Sequence, residues 1–150
     1  MMATRSFIGK IRKDRSADVI YCHFDGCLEH VGQILYEHYN DSERIEALLC
    51  LGDISCLYPE LEPEPGKPHS YEHPQINVTL AYARDGKAVW KPPVHYQNLQ
   101  EFLADYDDSW CEWIYLYDEF DHQWYYAHQV IRGEDDLMLL SKAFAPVRIT

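Results

Sequence analysis

Two short segments hold the densest polar chemistry in the chain: Thr4-Arg5-Ser6 and Tyr21-Cys22-His23-Phe24-Asp25-Gly26. Arg5 supplies a planar fork suited to phosphate or carboxylate. His23 can donate, accept or act as a base near neutral pH. Alternate side chains of a strand share a face, so Tyr21, His23 and Asp25 are expected to look the same way. With the two segments on paired strands, Arg5, Ser6, Tyr21, His23 and Asp25 meet at one end of a sheet. Such a group can bind a small anionic ligand, for instance a nucleotide signal. It can also make a hydrolase, with His23 as base, Asp25 as its orienter, Arg5 as anion clamp and Ser6 as hydroxyl. The structural alternative is an Arg5–Asp25 ion pair with His23 bonded to the backbone, because buried polar groups are normally satisfied within the fold. No Walker loop, Rossmann glycine pattern, His-Glu-x-x-His or Gly-x-Ser-x-Gly occurs. Enzymatic activity is therefore left open and no residue is assigned as catalytic.

The five cysteines are Cys22, Cys27, Cys50, Cys56 and Cys111. Without a secretory signal they are expected as free thiols. Cys50 and Cys111 sit among apolar neighbours and read as small core residues. Cys22 and Cys27 lie near His23 and His30, but no second cysteine pair completes a zinc set. His69 and His73 are bracketed by Pro68 and Pro74, which opposes a helix presenting both. No metal and no cofactor is expected.

Charge is distributed unevenly. The chain of 150 residues carries a formal net charge of −12. Residues 1–16 nevertheless hold five basic side chains against one acid, Asp14. From Pro92 to Ile131 there is no Lys or Arg, while Glu101, Asp105, Asp107, Asp108, Glu112, Asp118, Glu119 and Asp121 are all acidic. Phosphate binding needs cations, so direct nucleic-acid binding is not expected. The run reads either as a solvated acidic face or as a surface that steers a basic partner. Trp110, with the neighbouring Trp and Tyr residues, can anchor such a contact.

The elements that would carry these residues follow from periodicity. Residues 4–12 and Val19–Phe24 read as a strand hairpin, the first strand with one wet face. Apolar spacing predicts a helix over about 29–39. A second helix is capped by Asp41 or Ser42, buries Ile45, Leu48, Leu49 and Leu51, and stops at Gly52. Asp53 to Leu57 reads as a turn, and the proline- and acid-rich stretch of about 58–75 as a loop, the best place for an insertion. Ile76–Tyr82 and Ala88–Trp90 read as strands joined by a turn at Arg84–Lys87. Leu99, Phe102, Leu103 and Tyr106 define a helix capped by Asn98. Trp110–Tyr117 and His122–Val130 alternate as strands, Leu137–Leu140 is a short strand or helical turn, and Phe144–Thr150 receives no assignment. The sum is one α+β domain over 1–150, with about five or six mostly antiparallel strands and about three helices. No apolar run is long enough to span a membrane, and no signal-peptide core is present, so a cytoplasmic location is expected.

The first 57 residues resemble a family of small, uncharacterised phage and prophage proteins. Members open with Thr-Arg-Ser, continue with a Tyr-Cys-His-Trp-Asp-Gly strand, then Gly-x-x-Leu, a Tyr, and a Leu-Gly-Asp-Leu-Ser turn. The counterparts are Thr4-Arg5-Ser6, Tyr21–Gly26, Gly32, Leu35, Tyr39 and Leu51-Gly52-Asp53-Ile54-Ser55. Phe24 replaces the usual Trp, and Cys27-Leu28 replaces an aromatic-Pro pair. What the resemblance implies is a mobile-element setting, in which small acidic proteins block host defence, anti-CRISPR proteins among them. The leading expectation is an acidic inhibitor that binds a host protein with a basic groove, such as a CRISPR effector, by imitating nucleic-acid charge. A homodimer stays open.

Overall fold

The computed structural model describes residues 3–129 and 131–144. Val130, the end of an expected strand, and the tail beyond Phe144 lie outside the described residues. The chain starts as the expected hairpin. β1 (Ser6–Ile11) and β2 (Ala17–Cys22) pair antiparallel from Ser6 opposite Cys22 to Ile11 opposite Ala17. A π-helical turn, Leu28–Gly32, runs into α1 (Gln33–His38), and α2 (Ser42–Cys50) follows. The Asp41 carboxylate caps α2 by accepting from Glu43 N–H. Ile45, Leu48 and Leu49 form its buried stripe.

β3 (Ile54–Cys56) then lies parallel to β2, and β4 (Leu80–Ala81) pairs antiparallel with β3. α3 (Tyr82–Asp85) leads to β5 (Val94–Tyr96), which pairs with the other end of β2. α4 (Leu99–Asp107), capped by Asn98 through Glu101 N–H, precedes β6 (Trp113–Asp118). β7 (Gln123–His128), β8 (Met138–Leu139) and α5 (Leu140–Ala143) complete the described chain. Among the described residues the sheet has eight strands in the order β4-β3-β2-β1-β6-β7-β8, with β5 beside β2. Pairing is mostly antiparallel, with β1–β6 and β2–β3 parallel.

Helices cover both faces. On one, Ile8, Ile20, Tyr115 and Trp124 pack with Val31, Leu35, Ile45, Leu48 and Leu49 from the π-turn, α1 and α2. On the other, Val19, Ile114, Leu116 and Ala127 pack with Leu99, Phe102, Leu103 and Tyr106 of α4. This corrects the half-wet reading of the first strand. β1 is central and buried on both faces from Ile8 to Ile11. The architecture is α+β as expected, with more and shorter elements than the sequence suggests. Asp53–Leu57 contains β3 rather than only a turn. Ile76–Tyr82 keeps strand geometry only at Leu80–Ala81, and Arg84–Asp85 end α3 instead of turning a hairpin. Ala88–Trp90 is irregular and exposed, so the expected return strand is absent there. Cys50 is exposed because it lies off the Ile45–Leu48–Leu49 stripe. Cys22 is the fully buried thiol.

Candidate functional site

The hairpin brings the two polar segments together but divides their side chains between its faces. Ser6 is opposite Cys22, so both point to the α2 side. There Ser6 is fully buried, and its hydroxyl has no hydrogen-bond partner among the described residues. Tyr21 points to the α4 side, where its ring meets Phe7 edge-on at 6.2 Å. Its hydroxyl lies 2.6 Å from His23 Nδ1. Burial pushes the Tyr21 phenol up to about 12, with the nearby Arg5 charge opposing. The phenol therefore stays protonated at neutral pH and can donate to a neutral imidazole. Arg5 makes no ion pair among the described residues, while its carbonyl accepts from Glu112 and Trp113 N–H.

Asp25 sits elsewhere. Its backbone is left-handed, with φ of 56°, and the carboxylate is exposed. It acts on Cys56, whose thiol is raised by burial and by that carboxylate, with Ser55 opposing. The structure thus joins Tyr21 to His23, leaves Arg5 within reach of Tyr21 by its charge, and separates Ser6 and Asp25 from them. No Arg5–Asp25 pair forms among the described residues, and His23 Nδ1 engages Tyr21 rather than Asp25. The Ser6–His23–Asp25 relay considered for a hydrolase is not built, because Ser6 lies on the opposite face and Asp25 turns out to solvent.

The segments carrying the resemblance nevertheless converge. Gly26 N–H donates to Thr4 O at 2.8 Å, His23 N–H to Ile54 O at 3.1 Å and Phe24 N–H to Ser55 O at 2.9 Å. Tyr21 N–H donates to an Asp53 carboxylate oxygen at 3.0 Å. Tyr115 donates to Gly26 O at 2.7 Å, which ties this end of the sheet to β6. These bonds are structural: they hold β1, β2 and β3 in register around the Tyr21–His23 pair.

The acidic stretch is also divided. Asp118 is buried and receives Arg15 Nη1 at 3.0 Å on both oxygens. Glu119 receives Arg12 Nη1 at 3.4 Å. The basic turn of the first hairpin thereby pairs with these two acids, because β1 and β6 are in parallel register and Ile11 lies opposite Asp118. Asp121 accepts from Tyr125 OH. Glu112 lies at the other end of β6, about 20 Å from Asp118 at strand rise. Around it are Glu101, Asp105, Asp107, Asp108 and Trp110. Glu101 accepts from Gln97 N–H and Asp105 from Tyr96 OH at 2.9 Å each. None of these five acids makes an ion pair among the described residues. Trp110 is 84% exposed. The expected single acidic surface is therefore two patches: Asp118 and Glu119 are paired with arginines in one, and the five acids of the α4 patch have no ion pair among the described residues.

Sequence reasoning missed a third feature. Asp85 is buried and receives Arg84 Nε at 2.8 Å, Arg84 Nη2 at 3.0 Å and Ala81 N–H at 2.8 Å. His69 Nε2 lies 3.3 Å away, and His69 Nδ1 accepts from Gln75 N–H at 3.1 Å. Arg84 also donates to Leu61 O and Thr79 O at 2.8 and 2.7 Å. The network pins the proline-rich loop to α3. Beside it a cleft of about 570 Å³ opens, walled by Tyr71 and Tyr82. The available signal was the His and Tyr content of the loop, too rich in anchoring side chains for a bare linker.

Among the described residues no group of three or more His, Cys, Asp or Glu is placed to hold a metal ion, and no helix is long and apolar enough to cross a membrane. Comparison with protein-family models, with curated proteins and with solved structures finds no match.

Proposed function

We propose that this chain is an interaction protein that docks through α4 and the loop after it onto a partner with a basic surface. The observation that carries the reading is Trp110, 84% exposed in the loop between α4 and β6 and flanked by Asp107, Asp108 and Glu112. A large exposed aromatic ringed by uncompensated charge suits an anchor inside a steering field. Glu101 and Asp105 extend that field along the solvent side of α4. Asp118 and Glu119 have no part in it, since they are held by Arg15 and Arg12, and Asp121, bonded to Tyr125 OH, lies at the other end of β6. The phage-family resemblance suggests the partner's class: a host defence protein whose groove handles nucleic acid.

The test is capture from host lysate with the wild-type chain, identification of the partner, and titration of that partner with variants. Charge reversal at Asp105, Asp107 and Asp108 to Lys is expected to abolish binding, and Trp110→Ala to weaken it by at least about tenfold. Equal affinity for wild type and both variants would remove the proposal.

A second reading rests on Arg5, whose charge acts on Tyr21, the partner of His23, and which has no acid partner among the described residues. That trio suits a small anion. A thermal shift with phosphate-bearing ligands that Arg5→Ala eliminates would support it, and unchanged shifts in Arg5→Ala would refute it.

A further inference from the structure

We propose that the cleft between the proline-rich loop and α3 binds a nucleotide-class ligand, a planar ring bearing an anionic group. This assignment is independent of docking through α4. The cleft holds about 570 Å³, within the range typical of small-molecule sites. Its wall is Tyr71 and Tyr82, nearly parallel at 19° with centroids 5.8 Å apart. The back of Tyr71 rests on Gly86: a Cβ at that position would lie 3.0 Å from the ring. Tyr71 is still 38% exposed, so an edge and part of a face remain free for a flat ligand.

The electrostatics suit an anion-bearing ring. Burial raises both phenols, Tyr71 to about 12, with the Ser55 hydroxyl opposing. Both remain neutral donors at physiological pH. Asp85 forms the floor, and its charge is met by the Arg84 fork. Lys87 stands on the rim with no ion-pair partner among the described residues. A smaller hollow continues past Tyr82 and Ala88 to Lys91, which is likewise unpaired among the described residues. Asp53 shares that hollow, with one oxygen engaged by Tyr21 N–H. Lys87 and Lys91 stand against Glu72 and Asp53, and Asp85 is met by Arg84, so in a chain this acidic the two hollows carry no net charge and Lys87 is the group placed to take a phosphate. Glu72, also on the lining, is an acceptor for the ring's amino or imino N–H groups.

The proline-rich loop is not a loose flap over this cleft. His69, Arg84 and Asp85 clamp it, and Tyr71 N–H donates to Asp85 O at 3.2 Å. The site is therefore formed before a ligand arrives, which lowers the ordering cost of binding.

Calorimetric titration of the full chain with nucleoside mono- and diphosphates of each base tests this, with the free nucleosides and inorganic phosphate as separate arms. At least one nucleotide is expected to bind, at least about tenfold more tightly than its nucleoside or phosphate alone. Tyr71→Ala and Lys87→Ala should each weaken it by about tenfold or more, and Tyr71→Phe should retain most of it. Lys87 is exposed, so its variant keeps the test decisive even where Tyr71→Ala fails to fold. Absence of binding by every nucleotide overturns the assignment. So does binding that Lys87→Ala leaves unchanged, or phosphate alone binding as well as a nucleotide.

Discussion

At the residue scale the most instructive position is Lys10. It occupies an inward-facing place on a central strand and is 2% exposed. A buried ammonium is tolerated only with partners. Lys10 Nζ donates to Ser42 O at 3.2 Å, Ser42 Oγ at 3.0 Å and Glu46 at 2.8 Å. Glu46 also takes both Nη groups of Arg12. The Arg12 hydrogen bonds, together with Lys10 and against burial, lower the Glu46 carboxyl to about 2. A carboxyl depressed in the folded state contributes stability above its ordinary value, and that contribution is lost as pH falls from that value toward 2. Glu46→Gln is thus expected to cost about 1–2 kcal/mol at pH 7, a figure reduced for partial exposure, and to flatten the acid limb of a urea-denaturation series. Gly26 offers a second test. An added Cβ would meet Ser6 Cβ at 2.8 Å and Thr4 O at 2.9 Å. Gly26→Ala should destabilise by about 1–3 kcal/mol by the same assay, since the hairpin end must shift. Sequence alternation was enough to pair Tyr21 with His23. The same alternation puts Ser6, the sequence neighbour of Arg5, on the opposite side of the strand, so grouping the two in one cluster overlooked it. Asp25 escaped because its left-handed backbone rotates it out of the alternation.

At the element scale, what was legible had a local cause. α2 and α4 carry an Asx cap and an apolar stripe, and both stand where those signals put them. β6 alternates aromatic and aliphatic residues, β7 is rich in aromatics, and their hairpin pairs from Trp113–His128 to Asp118–Gln123. What was illegible had a distant cause. β5 is three residues after Pro92-Pro93 and exists because β2 offers it an edge. α3 looks like a turn because Arg84-Asp85-Gly86 has turn composition, yet Asp85 is held by groups from Ala81, Arg84 and His69. That clamp predicts a measurable cost. Asp85→Ala would leave the Arg84 charge without its carboxylate, a loss of about 3 kcal/mol or more, read as a melting-temperature drop of roughly 6–12 °C. Loss of protection in hydrogen exchange should concentrate in the loop of residues 58–79. An unchanged melting temperature would mean the clamp is not what holds the loop.

At the scale of the whole molecule, charge is organised by topology rather than by sequence blocks. Asp118 and Glu119 look uncompensated in sequence but fold against Arg15 and Arg12. Those beside Trp110 lie at the far end of the same strand, beyond reach of the basic turn. Within Pro92–Ile131 the acids that lack an ion pair among the described residues gather mainly at the α4 end. Raising salt from about 0.05 to 0.5 M should therefore slow partner association, because exposed charges are screened, while leaving dissociation nearly unchanged. Stopped-flow measurement separates the two, and a salt-independent on-rate would contradict steering. The position of β1 between β2 and β6 has one more consequence. Its second flank is a strand more than a hundred residues further on. During synthesis the hairpin waits with one rank of amides unpaired, and the sheet closes only once that late strand arrives. The first strand made is thus among the last to be locked, and variants that delay β6 should appear as slow refolding and early aggregation before any loss of native stability is seen.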